Sequence, residues 1–261
     1  GVSDVKPIVI PQPAVIKELS DESSRVLSVQ SVTKAFGKRE VLHGISLDVD
    51  RGEIVGLLGP DGAGKTVTFY SILGLVKVNT GQILIDGEDV TKMPLDRRAL
   101  RGLGYLPQET SIFSSMTVSQ NILTVLELFE FDPAARALKL EELLKEFHIE
   151  YIRDIKGRAL SGGERRRCEI ARAMAAEPSI MLLDEPFAGI DPMSVRDIKA
   201  MIYQLKSRNI GVLLTDQNVH ELVDLLDCVY VIHEGRIAFE GTTDAMLEDR
   251  MVREIYLGEE F

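Results

Sequence analysis

Cysteine, long apolar runs and an excess of basic charge are what this sequence has little of, and each shortage excludes something. The two cysteines, Cys168 and Cys228, have no second Cys or His at metal-ligand spacing. That leaves no disulfide framework and no thiolate metal site, and both read as small core residues of a protein kept in a reducing compartment. No stretch reaches the roughly 18–20 uninterrupted apolar residues of a membrane-spanning helix, so the chain reads as soluble. The apolar residues near the start are broken by Pro7, Pro11 and Pro13 and follow no basic cluster, so residues 1–25 read as a loose arm rather than a signal peptide. Acidic residues outnumber basic ones by 41 to 30, which argues against nucleic-acid binding and against a purely electrostatic hold on an anionic membrane.

What the chain does have is core material. It has 261 residues, 45% of them hydrophobic, enough for one α/β domain carrying a smaller lobe. From Val26 to Val32 apolar and polar residues alternate as in a half-buried strand, and a second such run spans Val41 to Val49. Ile54 to Leu58, Ile180 to Leu183 and Val212 to Leu214 are instead continuous apolar runs, the signature of parallel strands buried on both faces. Between about 110 and 160 the period becomes helical, with Val118, Ile122, Val125 and Phe129 on one face and Leu140, Leu143, Leu144 and Phe147 on another. This predicts a small helical lobe inserted in a sheet domain. From Val229 to Phe239 the pattern is a hairpin turning at Glu234 and Gly235, and a helical tail follows.

Three segments carry chemistry. Gly59, Pro60, Asp61, Gly62, Ala63, Gly64, Lys65, Thr66 and Val67 follow an apolar strand and open a helix, the context of a phosphate-binding loop. There Lys65 would reach the β and γ phosphates of ATP, and the Thr66 hydroxyl would ligate Mg²⁺. Asp184 and Glu185 end the apolar run at 180–183, at the strand edge where open parallel sheets bind ligands. Asp184 would hold Mg²⁺ and Glu185 would polarise the attacking water; by themselves they could equally be a solvated turn. Ser161, Gly162, Gly163 and Glu164 open another helix and make a second anion site, or else only a helix cap.

With two phosphate sites in one chain, the sequence resembles the ATP-binding cassette (ABC) family from about residue 26 to 261. The resemblance implies a P-loop NTPase core of mostly parallel sheet, an antiparallel N-terminal subdomain and an inserted helical lobe. It also implies a homodimer in which Ser161, Gly162 and Gly163 meet the γ-phosphate held by the other copy's phosphate loop. Phe36 takes the place of the family's adenine-stacking aromatic, with a core phenylalanine as the alternative. Gln108 matches the glutamine that touches Mg²⁺ and the attacking water, and Asp191 the loop that crosses the dimer interface; a loop glutamine and a helix N-cap are the plainer readings.

Two positions depart from the family pattern. Asp61 stands where asparagine is usual, adding a negative charge beside an anion site. Gln217 stands where a histidine usually contacts the γ-phosphate, and His220, at the start of a helix, reads as a surface residue.

Several segments look most like the lipopolysaccharide-export ATPases of Gram-negative bacteria: Tyr105 to Glu109, Gly162 to Arg167, Asp184 to Gly189, Thr215 to Val219 and Tyr256 to Phe261. The run Arg165, Arg166, Arg167 reads by itself as a solvated helix face. This resemblance implies two transmembrane partner subunits and a peripheral place on the cytoplasmic side of the inner membrane, held only through those partners. A groove between Pro94 and Phe113, near Gln108 and the lobe and lined by Leu95, Arg98 and Phe113, would receive a partner helix, with internal packing of any of the three as the plainer reading. ATPases of branched-chain amino-acid uptake, a nucleotide-binding regulatory module with little turnover and the soluble ABC proteins of translation or DNA repair are the alternatives. The last group usually carries two cassettes or a long coiled-coil insertion, and neither is present here.

Overall fold

The computed structural model describes residues 24–258; the N-terminal arm read from residues 1–25 lies almost wholly outside them. Strands β1 (Arg25–Phe36) and β2 (Arg39–Asp50) form a hairpin, and β3 (Ile54–Leu58) leads into helix α1 (Lys65–Leu73). Strands β4 (Thr80–Ile85) and β5 (Glu88–Asp89), helix α2 (Leu95–Leu100) and strand β6 (Leu103–Leu106) follow. The lobe holds α3 (Val118–Phe129) and α4 (Pro133–Glu146), then α5 (Gly162–Met174) returns to the sheet. The rest alternates as β7 (Ile180–Asp184), α6 (Pro192–Ser207), β8 (Gly211–Thr215), α7 (Val219–Leu222), β9 (Cys228–His233) and β10 (Arg236–Gly241). Two short helices, α8 (Thr243–Glu248) and α9 (Arg250–Val252), and a π turn at Arg253–Leu257 complete it.

Two sheets result. One is antiparallel, in the order β2-β1-β4-β5; the other runs β10-β9-β3-β8-β7-β6, parallel except for the β9–β10 pair. Alternation along each central strand divides its residues between two cores, because successive side chains point to opposite faces. Ile54, Leu58, Met181, Leu183, Val212 and Leu214 pack on the helices and lobe. Val55, Leu57, Ile180, Leu182 and Leu213 pack with the antiparallel sheet and with Phe69, Ile72 and Leu73 of α1. Each such side chain contributes roughly 1.5–3 kcal/mol by leaving water. The continuous apolar runs are thus two-sided strands, as expected.

The lobe follows the expected periodicity with one shift. The buried stripe of α3 runs through Val118, Asn121, Ile122 and Leu126, while Phe129 is exposed. Sequence spacing puts both Val125 and Leu126 near that face; packing against α4 and α5 selects Leu126. Burial also pushes the Cys168 thiol up to about 12, and both cysteines are free and buried.

Candidate nucleotide site

Strands β3, β6, β7 and β8 end along one edge of the parallel sheet, and the candidate residues gather there. From β3 the chain turns through Gly59 to Gly64 into α1, whose first turn carries no acidic side chain to compete for its N–H groups. Gly64 must be glycine: its φ is +114°, and a Cβ would lie 2.9 Å from Leu42 Cδ2. The loop is braced from outside by the β9–β10 turn, where Gly235 N–H donates to the Ala63 carbonyl at 2.9 Å.

Lys65 folds back over this loop, donating to the carbonyls of Gly59 and Pro60. Its pKa is lowered by burial and pulled back up by Asp61, Glu185 and Asp184. Asp61 therefore does add negative charge here, and Lys65 feels it.

Lys65 lies in a cleft of ≈ 270 Å³ whose walls include Asp61, Thr66, Gln108, Glu109, Asp184, Glu185, Asp216 and Gln217. A second depression of ≈ 340 Å³ shares Asp61, Lys65 and Thr66 and extends to Gly62, Gly64, Val67 and Phe36. Phe36 is 52% exposed at the end of β1, so it is not a core phenylalanine. Polar cleft and aromatic platform adjoin, as a nucleotide with phosphates at one end and a flat base at the other requires.

Asp184 ends β7 opposite Thr215 of β8. The next residue, Glu185, has φ +48° and donates its N–H to the Thr215 carbonyl at 2.8 Å, which fixes its side chain at the strand edge. Burial raises the pKa of Asp184, helped by Glu109, and that of Glu185, helped by Asp216 and Asp184. Asp216 is raised by burial as well, although it accepts from the N–H groups of Phe187 and Asn218 at 3.1 and 2.9 Å. Sequence reading gave Asp216 and Glu109 no part in the site; their signal was a carboxylate just past an apolar strand.

This excess of carboxylate around one lysine suits a divalent cation. Among the described residues no three His, Cys, Asp or Glu side chains form a metal cage. Thr66, Asp184 and Gln108 supply a few hard oxygens, which fits Mg²⁺, an ion that keeps several waters and takes its other ligands from phosphates.

Ser161, Gly162, Gly163 and Asp191 are not walls of the cleft. Ser161 caps α5 in a reciprocal box: its Oγ accepts from Glu164 N–H at 3.1 Å, and Glu164 Oε1 accepts from Ser161 N–H at 3.0 Å. Ser161 is exposed, and its hydroxyl proton remains available to an outside acceptor. Gly163 permits a close approach, since a Cβ there would lie 2.7 Å from Ser194 Oγ at the start of α6. Asp191 caps α6, accepting from Ser194 N–H at 3.1 Å. His220 is exposed on α7, whereas Gln217 lines the cleft.

One expectation is overturned. The arginine run is no solvated face: Arg166 is fully buried, donating to the carbonyls of Pro107 and Gln108, and Arg167 donates to the His148 carbonyl and the Tyr151 hydroxyl. Arg98 lines a depression of ≈ 630 Å³ together with Lys77, Met93 and Pro94, but as a buried side chain rather than one free to dock a partner. It is 2% exposed, with its guanidinium on four backbone carbonyls, those of Ser71, Ile72, Thr91 and Met93. Leu95 is half-buried against the same core, and of the expected groove residues Phe113, 54% exposed, remains at the surface.

The geometry is that of a P-loop nucleotide cassette, and the comparisons agree. The family model described as "ABC transporter" matches residues 42–188. The lipopolysaccharide export system ATP-binding protein of Haemophilus influenzae is 51% identical over 237 residues, 90% of this chain and 98% of that one. Its namesake in Escherichia coli K12 is 49% identical over 236 residues, again 90% and 98%. Among solved structures, an ATP-binding cassette of an ABC transporter in its ADP conformation matches with a TM-score of 0.78 at 27% identity, over 90% of this chain and 99% of the other. The chain belongs to the ABC transporter family, among its ATP-hydrolysing cassettes.

Proposed function

We propose that two copies of this chain bind and hydrolyse ATP at sites each shares with the other, and so power lipopolysaccharide export through membrane partner subunits. The observation that carries the shared site is the separation within one copy: the cleft holding Lys65, Asp184 and Glu185 has no residue of its own Ser161 turn among its walls. Ser161, Gly162 and Gly163 then serve the other copy's γ-phosphate, and Asp191 lies at the interface. Phe36 stacks on adenine, and the backbone of Gly59 to Val67 wraps the phosphates. Lys65 leaves its own loop's carbonyls for the β and γ phosphates. Glu185, its pKa raised by burial and by neighbouring carboxylates, orients and accepts a proton from the attacking water. Gln108 and Gln217 position that water and the γ-phosphate. Thr66, Asp184 and Gln108 would hold Mg²⁺, which when bound offsets charge on the phosphate oxygens.

Export rather than another cargo rests on relatives whose names state it and which match nearly full length. Among the described residues no helix is long and apolar enough to cross a membrane. The place this reading assigns the chain is peripheral, on the cytoplasmic face of the inner membrane, held through the partner subunits. Reconstitution with the membrane subunits that co-purify with the chain tests the reading. ATP-dependent release of lipopolysaccharide from the vesicles is expected, and ATP-driven uptake of leucine instead would replace it.

A further inference from the structure

Three neighbouring side chains of α5 hold the loop that carries Gln108. Arg166 Nη1 and Nη2 donate to the carbonyls of Pro107 and Gln108 at 2.8 and 2.5 Å. Arg165 donates to Thr110 Oγ1. Glu169, one turn on and 1% exposed, accepts at Oε2 from both the N–H and the O–H of Ser111, at 3.2 and 2.6 Å. The carboxylate sits between two guanidiniums, with Arg165 Nε 3.6 Å from its Oε1 and Arg166 Nη1 3.7 Å from its Oε2. Arg165 Nε and Glu169 Oε1 are both buried without a hydrogen-bond partner. They face each other about 0.7 Å beyond a normal N–H···O length.

The loop from Pro107 to Ser111 has no regular secondary structure of its own, so α5 decides where it lies. The same helix begins at Ser161, fixed by its reciprocal cap. We propose that Glu169 is a positioning residue for hydrolysis: by gripping Ser111 it makes the Gln108 loop and the Ser161 helix one rigid body. In the dimer this body has one end in each shared site, Gln108 in its own copy's cleft and Ser161 at the other copy's. Closure of one site therefore draws Gln108 into place in the other. The inference rests on the shared-site reading above.

The test uses the purified full chain with Ser111→Ala, Ser111→Thr and Glu169→Ala. Ser111→Ala is expected to lower kcat roughly tenfold, short of the ~100-fold that an ångström-scale misplacement costs, with KM within about twofold. Ser111→Thr, which keeps the hydroxyl, restores the rate. The double variant Ser111→Ala with Glu169→Ala is expected to be no slower than Glu169→Ala alone, because both act through one contact. If Glu169→Ala does not fold, the Ser111 pair decides. Wild-type turnover in Ser111→Ala, or a loss of kcat matched by equal losses in melting temperature and nucleotide affinity, overturns the proposal. Light scattering in a Glu185→Gln background separates the two readings. ATP-driven dimers together with unchanged Ser111→Ala turnover sink the positioning role alone. No dimer with Ser111 intact sinks the shared site and this coupling with it.

Discussion

Arg98 Nη1 donates at 2.7 Å to the carbonyls of both Ser71 and Ile72, in the last turn of α1. The negative end of a helix whose last turn has no basic residue of its own is thereby satisfied by a cation from elsewhere. Arg98→Glu would set a carboxylate against four carbonyls. The variant is expected to lose at least ~3–5 kcal/mol and to lose ATP binding and partner binding together. Urea unfolding alongside nucleotide titration checks this.

Phe113 is the better probe of the partner contact, since it is exposed, with the Arg172 guanidinium 5.7 Å from its ring centroid. Phe113→Ala is expected to reduce recovery of the membrane subunits severalfold, as loss of an aromatic anchor does, at unchanged melting temperature. Unaltered co-purification would place the contact elsewhere.

Glu185→Gln removes the water-orienting carboxylate but leaves the phosphate loop intact. With saturating ATP and Mg²⁺ it is expected to pass from monomer to dimer, the nucleotide bridging two copies. A light-scattering mass that stays monomeric counts against the shared site.

The same variant gives a stability test. Glu185 has its folded-state pKa raised, chiefly by burial, so the native chain holds its proton more tightly than the unfolded one. The stabilising contribution is therefore full below the unfolded value near pH 4–4.5 and is lost as pH rises through the folded value. Without nucleotide, Glu185→Gln is expected to melt higher than the parent by roughly 1–3 °C at pH 7–8. The difference should vanish toward pH 4, and a gap that widens on acidification would contradict it.

Gln217 lines the cleft beside Lys65 and Glu185. Its amide can donate to a γ-phosphate but cannot become cationic as charge builds. Gln217→His is expected to raise kcat about tenfold or more with KM little changed. Equal turnover would make Gln217 a full replacement.

The sequence by itself determined whatever rests on contiguous residues. The phosphate loop, the Ser161 turn and the two-sided strands at 54–58, 180–184 and 211–215 were legible because backbone conformation and strand burial leave local patterns. Tertiary structure alone decided the buried ions. The burial of Arg98, Arg166 and Glu169 leaves no local pattern in the sequence, because their partners come from distant segments: Ser71 is 27 residues from Arg98, Ser111 is 58 from Glu169 and Pro107 is 59 from Arg166. A charged side chain leaves water only where acceptors or donors are already held in place. Here those groups are carbonyls and hydroxyls of helix ends and loops that adjoin only once the sheet has been assembled.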